Sequence, residues 1–278
     1  TGRYLVEDHL VGLAPSGTVF VQATAAAEGW SDPAVSALVV GNPRLDGPSR
    51  AALPNLPGAE AEATEISRLY PRSHLLIGGE ATKTAFLERL PESEVVHFAG
   101  HAVGDGAPWT ARLLLASDTP ESDSGALYLQ ELDGRGLPHT RVIVLAACRS
   151  AAGPTARLGG SWSLVRPFLA AGVPDVVASL WDVDDAVSRR FFVAFHRALL
   201  TERDALVALQ QTQIALLRDG DPLLAHPASW AGVVSVGGFD SRRLTLAQEA
   251  RGQRPWRARR RLPQGPTHAA DEVRPASF

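Results

Sequence analysis

The chain has 278 residues, 45% of them apolar and 21% charged, with one Cys, no Met and a formal charge of −3. That apolar content can build a substantial core in one large or two small domains and excludes wholesale disorder. A single cysteine excludes an intrachain disulfide framework and a four-cysteine zinc site and fits a reducing compartment, so a cytoplasmic protein is expected; with no run of 18 apolar residues, no membrane-spanning helix is expected either.

Short apolar runs rich in β-branched residues alternate with amphipathic stretches, the pattern of an α/β domain around a mainly parallel sheet. In chain order the first expected strand is Ala37–Gly41. A Pro- and Gly-rich loop at Asn42–Pro57 and a helix over Ala59–Leu69 follow it. Then come a strand at His74–Ile77, a helix over Thr82–Leu90, a strand at Glu94–Ala99 and a loop at Gly104–Trp109. Leu113–Ala116 reads as a strand, and the acidic, Ser-rich Ser117–Gly125 as a connection that can join it to the next apolar run as a hairpin. Arg141–Ala147 is apolar from Val142 onward, as a central strand covered on both faces must be. A helix over Ser161–Ala171 stops at Gly172 and Pro174, and a strand follows at Asp175–Leu180. Val187–Leu200 places Phe191, Phe192, Phe195 and Leu199 on one stripe, Asp204 caps a further helix ending near Gly220, and Trp230–Val236 is the last strand. No repeat recurs at 20–50 residues.

Residues 241–278 differ in kind from the 1–240 domain. They carry nine Arg against Glu249, Asp271 and Glu272, have no sustained apolar period, and read as a disordered basic tail on an acidic body. Nucleic acid is expected as a partner only weakly, through counterion release by that tail; a solvated tail with no ligand is the weightier reading.

Two expected strands end in residues with nucleophilic chemistry. Glu94–Ala99 runs through Gly100 into His101, and Arg141–Ala147 runs into Cys148, 47 residues further on. Ligands collect at the carboxyl ends of strands in open parallel sheets, where both residues fall. A thiol with a pKa of about 8.5 is mostly protonated at neutral pH, so an imidazole is needed to take its proton and later to protonate a leaving amine. Attack on a carbonyl develops an oxyanion, which the backbone N–H groups around Gly100, Ala102 and Cys148 are placed to meet. Taken alone, a cysteine at the end of a buried strand is more often an inert small hydrophobe. The caspase signature, with Ala before the cysteine, Arg allowed after it and a histidine about 50 residues upstream, parallels Ala147-Cys148-Arg149 and His101.

A longer ordered set of motifs goes with that pair: Leu38-Val39-Val40-Gly41-Asn42-Pro43, Leu53-Pro54 to Glu60, Ala81-Thr82, His97-Phe98-Ala99-Gly100-His101, Leu145-Ala146-Ala147-Cys148-Arg149-Ser150, Ala178-Ser179-Leu180-Trp181, Asp184-Asp185 and His226-Pro227-Ala228-Ser229-Trp230. Over residues 1–240 the sequence resembles the CHAT family, caspase-like domains often attached to tetratricopeptide repeats and related to caspases and separases. The resemblance implies a three-layer α/β/α sandwich with a mainly parallel central sheet. It also implies a Cys148–His101 dyad and hydrolysis of peptide bonds in a protein or peptide substrate, in bacterial-type signalling. Because the sequence opens at Thr1 without Met, it reads as a fragment or processed chain. By the same resemblance, a preceding repeat segment or a regulatory protein is an expected partner. The family usually has Gly after the histidine, where this chain has Ala102, and Ser two before the cysteine, where it has Ala146. If Ala102 must take a positive φ, its Cβ costs about 1 kcal/mol. A catalytically inactive caspase-like interaction module is therefore the alternative reading.

Trp181, Asp182, Asp184 and Asp185 follow another strand end, and the similar segment in separases lies near a pocket for a basic side chain. A carboxylate there would favour Arg or Lys before the scissile bond. Helix capping by Asp184 or Asp185 is the weightier alternative for either one. His97 and His101 stand on a strand and a turn, without a following Glu, so zinc is not expected and His97 is read as buried behind the site. Gly78-Gly79-Glu80-Ala81-Thr82-Lys83-Thr84 lacks the Gly before Lys that a phosphate loop needs. No nucleophile elbow surrounds Ser161, Ser163 or Ser235, and no cofactor is required.

Overall fold

The computed structural model describes residues 2–28, 32, 34–45, 53–103, 110–119, 125–147 and 164–239. The expected loop at Gly104–Trp109, the start of the Ser161–Ala171 helix, Ser161 and Ser163, and the 241–278 tail lie outside them.

Six strands form the main sheet: β1 (Ser36–Pro43), β2 (Arg72–Gly78), β3 (Val95–Ala99), β7 (Val142–Ala146), β8 (Asp175–Ser179) and β9 (Val233–Gly237), in the spatial order β2-β1-β3-β7-β8-β9. All neighbours are parallel except β8 and β9. Between β3 and β7 the chain makes a small antiparallel sheet of β4 (Ala102–Val103), β5 (Arg112–Leu114) and β6 (Ala126–Tyr128). The expected Leu113–Ala116 strand therefore pairs in this side sheet, and Ser117–Gly125 connects two antiparallel strands. Leu115 still donates its N–H to the Gly125 carbonyl, whereas Ala116 turns away to bridge Thr82 and donates its N–H to the Ala81 carbonyl.

The strands are apolar on both faces because helices cover both. Leu38, Val40, Phe98, Ile143 and Leu145 pack with Phe86 of α3 (Lys83–Arg89) and Phe168 of α4 (Arg166–Ala170). The alternate residues Ala37, Val39, Val95 and Val144 pack with Ala63 and Ile66 of α2 (Pro57–Ser67), Phe191 and Phe195 of α5 (Asp185–Glu202) and Leu209 of α6 (Ala205–Leu217). One period of two thus feeds two cores.

Local chemistry explains the boundaries. α5 ends where Arg203 takes φ 60, and Asp204 caps α6 by accepting from the Val207 N–H at 2.9 Å. β3 starts one residue later than expected because Glu94 accepts from the Val35 and Ser36 N–H groups and pairs with Arg141. The last strand starts at Val233, not Trp230, because Pro227–Ser229 forms a 3-10 turn and the Trp230 indole donates to the Ala225 carbonyl. A helix absent from the sequence reading, α1 (Gly17–Ala27), is capped by Ser16; ahead of it, Leu13 bridges Val236 and shields the β9 edge. Among the described residues, no helix is long and apolar enough to cross a membrane.

Candidate active site

From β1 the chain crosses to β2 on one side and then to β3 on the other. The strand order therefore reverses between β1 and β3, and an open α/β sheet gathers ligands outside the carboxyl ends of strands at such a point. His101 stands there, two residues beyond the end of β3. Its Nε2 lies 2.8 Å from the Pro54 carbonyl oxygen. A carbonyl can only accept, so Nε2 carries a hydrogen, and in the neutral ring Nδ1 keeps its lone pair.

Gly100, which leads into His101, is buried. A Cβ there would stand 3.0 Å from both the Phe98 ring and Pro43, so any side chain at this turn would require both neighbours to give by a few tenths of an ångström. Ala102 sits in β4 opposite Leu113 and has no positive φ, so its Cβ causes no backbone strain. The condition under which it would have cost stability is not met.

Cys148 lies outside the described residues. The strand leading to it is described: β3 and β7 are adjacent and parallel, with Ala99 opposite Ala146 and Ala147 buried beyond.

At the end of β8, the Trp181 indole donates to the Ala228 carbonyl at 2.9 Å, and its ring lies over Gly232. Asp182 is exposed and makes no hydrogen bond or ion pair among the described residues. Asp184 is the N-cap of α5, accepting from the N–H groups of Ala186 at 3.0 Å and Val187 at 3.3 Å. Asp185 opens the helix, with its carboxylate against Gly58 in the first turn of α2. The four pocket candidates therefore divide. Asp184 is engaged in capping, Asp185 in helix packing and the Trp181 ring in packing over Gly232, while Asp182 is exposed.

The glycine-rich stretch at Gly78–Thr84 is a strand-to-helix turn in which Thr82 caps α3 and Lys83 pairs with Glu131 at 2.6 Å. Ser235 lies within β9 and donates its hydroxyl to buried Asp175.

Behind the site, His97 joins a buried chain of side chains on the α2/α5 face. Tyr70 Oη is 2.7 Å from His196 Nδ1, His196 Nε2 is 3.1 Å from His97 Nδ1, and His97 Nε2 is 2.9 Å from Glu62 Oε1. Ser188 lies 3.0 Å from Glu62 Oε2. Burial pushes the Glu62 carboxyl up to about 8, drops the His97 imidazole to about 3, lowers His196 well below the ordinary histidine value, and raises the Tyr70 hydroxyl. The His97–Glu62 contact at neutral pH is thus a hydrogen bond between neutral groups. If Tyr70 donates to His196, His196 to His97 and His97 to Glu62, every ring N–H has an acceptor. The sequence reading placed His97 behind the site but missed Glu62, His196 and Tyr70, whose separations of 35 to 126 residues leave no local signal. It also missed the Pro54 carbonyl, since any residue can supply a backbone oxygen.

The CHAT domain profile matches residues 1–238. Tetratricopeptide repeat protein 28 of Homo sapiens is 30% identical over 240 residues, covering 75% of this chain and 10% of that protein. Its Mus musculus counterpart is 31% identical over 242 residues with the same coverage. The chain spans about a tenth of the length of these curated relatives. Among solved structures, the Arg specific cysteine proteinase gingipain R aligns at TM-score 0.53 and 10% identity, over 79% of this chain and 51% of that one. Separase from the Saccharomyces cerevisiae separase–securin complex aligns at TM-score 0.57 and 16% identity, over 84% of this chain and 14% of that one. At these identities the likeness is one of fold.

Proposed function

The chain belongs to the CHAT domain family, a caspase-like fold family that contains peptidases, and from that premise we propose that it is a cysteine endopeptidase with Cys148 as nucleophile and His101 as general base and acid. One observation carries the reading. β3 and β7 are neighbours with Ala99 opposite Ala146, and His101 and Cys148 each stand two residues beyond those partners in the sequence. Parallel strands lie about 4.8 Å apart, so equal overhangs from a shared register favour meeting at one edge.

The chemistry follows from the tautomer. With Nε2–H donated to Pro54, the free Nδ1 lone pair accepts the Cys148 proton. The thiolate sulfur bonds to the substrate carbonyl carbon, and the π electrons move onto oxygen, where backbone N–H groups at the site edge receive the oxyanion. When the C–N bond breaks, the imidazolium returns its proton to the departing amine and leaves a thioester. Water then gives a proton to the same nitrogen as its oxygen bonds to the thioester carbon; the C–S bond breaks, the acid leaves, and the imidazolium returns that proton to the sulfur, restoring the thiol.

Asp182, exposed beside Trp181, is the carboxylate we assign to a basic side chain preceding the cut bond. The partner proposed for regulation is a tetratricopeptide-repeat segment or a regulatory protein, in keeping with the names of the relatives. A cytoplasmic setting is proposed from the lone thiol. Peptide-library cleavage by the chain and by Cys148→Ala tests the core of the reading. Turnover confined to the cysteine-bearing chain is expected, and equal turnover from both overturns it.

A further inference from the structure

We infer that Asn42 is a positioning residue for His101, acting through the Pro54–Leu56 segment. The inference rests on the endopeptidase reading for its catalytic meaning, but its geometry stands without Cys148.

Asn42 is one of two described non-glycine residues with positive φ, at 47°, and it lies at the irregularity where β1 leaves register with β2. Asparagine tolerates this left-handed conformation better than most residues. Its side chain is buried and used at both ends. Oδ1 accepts from the Leu56 N–H at 3.0 Å, and Nδ2 donates to Glu60 Oε2 at 3.2 Å. Leu56 is the N-cap residue of α2 and supplies no side-chain cap, while Glu60 lies in that helix's first turn. Asn42 therefore ties the end of β1 to the start of α2 and to the strap before it. Two residues back along the strap is Pro54, whose carbonyl receives the His101 Nε2–H.

The neighbours of Asn42 complete the arrangement. A Cβ at Gly41 would stand 2.5 Å from Ala63 Cβ and 2.9 Å from the Ala59 carbonyl, so glycine there lets α2 approach β1 closely enough for the tie to form. Pro43 packs against Gly100 on the other side. The Gly41-Asn42-Pro43 motif thus sets the depth of the strap, the hold on it and the approach to His101. Without the hold, the Pro54 carbonyl is free to move, and the imidazole can carry its hydrogen on either nitrogen. Only one of those tautomers leaves Nδ1 able to take a thiol proton.

The test is 15N NMR of the histidine ring nitrogens of the full chain, with His101 assigned by its loss in His101→Asn, together with the rate at which iodoacetamide alkylates Cys148, the chain's one thiol. In the wild type, His101 is expected as a single Nε2–H tautomer. Asn42→Gly keeps the left-handed backbone and removes both hydrogen bonds. It should give mixed tautomers and slow alkylation near neutral pH by about tenfold to a hundredfold, the scale of a catalytic group misplaced by about an ångström. Asn42→Asp keeps an acceptor for the Leu56 N–H but loses the Nδ2 donor and sets a second carboxylate against Glu60, so a smaller change in the same direction is expected in both readouts. Adding Glu60→Gln restores a donor and an acceptor at that contact and should restore both readouts. A single wild-type tautomer with unchanged alkylation in Asn42→Gly overturns the inference. If that variant does not fold, unchanged readouts in Asn42→Asp overturn it instead. Failure of the endopeptidase reading looks different: wild type and His101→Asn then alkylate at the same rate, while the tautomer comparison still decides the role of Asn42.

Discussion

His97 and His101 leave the same strand four residues apart and enter opposite chemical environments. His97 points into the layer between the sheet and α2 and α5. Both its nitrogens are hydrogen-bonded, and burial holds it neutral. His101 follows a glycine turn to the carboxyl edge of the sheet, where one nitrogen is held by a backbone carbonyl and the other makes no hydrogen bond to a described residue. An imidazole engaged on both sides in a dry interior fastens helices to a strand. One engaged on one side, at an edge solvent can reach, is free to move protons. The difference lies in the turn at Gly100, not in the residue type.

The largest effect that would break this contrast is on turnover. His101→Asn should lower peptide cleavage by about 10²- to 10⁴-fold, the range for losing a general acid–base group, with thermal stability nearly unchanged. A comparable loss from His97→Gln in a folded chain would remove the distinction between the two histidines.

At Glu62 the expectation is reversed. Glu62→Leu leaves the His97 Nε2–H buried without an acceptor and should destabilise the fold by about 1–3 kcal/mol in denaturant titration, whereas Glu62→Gln retains an acceptor and should lose less. Equal losses would mean that the hydrogen-bond chain contributes little.

The same chain predicts a pH profile. Glu62 binds its proton more tightly when folded, up to about 8 against 4.5, so its contribution is full below about pH 4.5 and is lost as pH rises towards 8. His97 and His196 bind protons more weakly when folded, so theirs is full above about 6.5 and is lost as pH falls, for His97 towards 3. Between 4.5 and 6.5 the two histidines outweigh the one carboxyl. Stability from this region should therefore peak near pH 6.5 and fall by about 1.4 kcal/mol per pH unit towards 8. Glu62→Gln should flatten that alkaline limb. A limb unchanged by the substitution would assign it to other groups.

The smallest effect sharpens the picture at β8. Asp184→Ala should cost about 1 kcal/mol through loss of the α5 cap and leave cleavage preference alone, while Asp182→Ala should do the reverse. Thermal melts and a library varied before the scissile bond separate them.

Much of the scaffold was legible because its signals are local. The apolar runs at β1, β3, β7 and β8 were found within about two residues, and Asp204 was recognised as a helix cap from the residues beside it. α1 was missed because its apolar and small residues form no sharp stripe, so periodicity had little to detect. The side sheet was legible as a hairpin but not as separate from the main sheet, since strand order depends on partners far along the chain.

The sequence by itself determined which segments must be buried on two faces and that a histidine and the lone cysteine each follow such a segment. Hydrophobic period and turn residues are properties of neighbours in the chain. Only the tertiary structure decided that β3 and β7 are adjacent in register, that His97 meets Glu62 and His196, and that Asn42 holds the strap whose carbonyl faces His101. Those contacts join residues 14 to 99 positions apart, several of them through backbone atoms. Their energies exist only once packing has excluded water and brought the partners within hydrogen-bond distance.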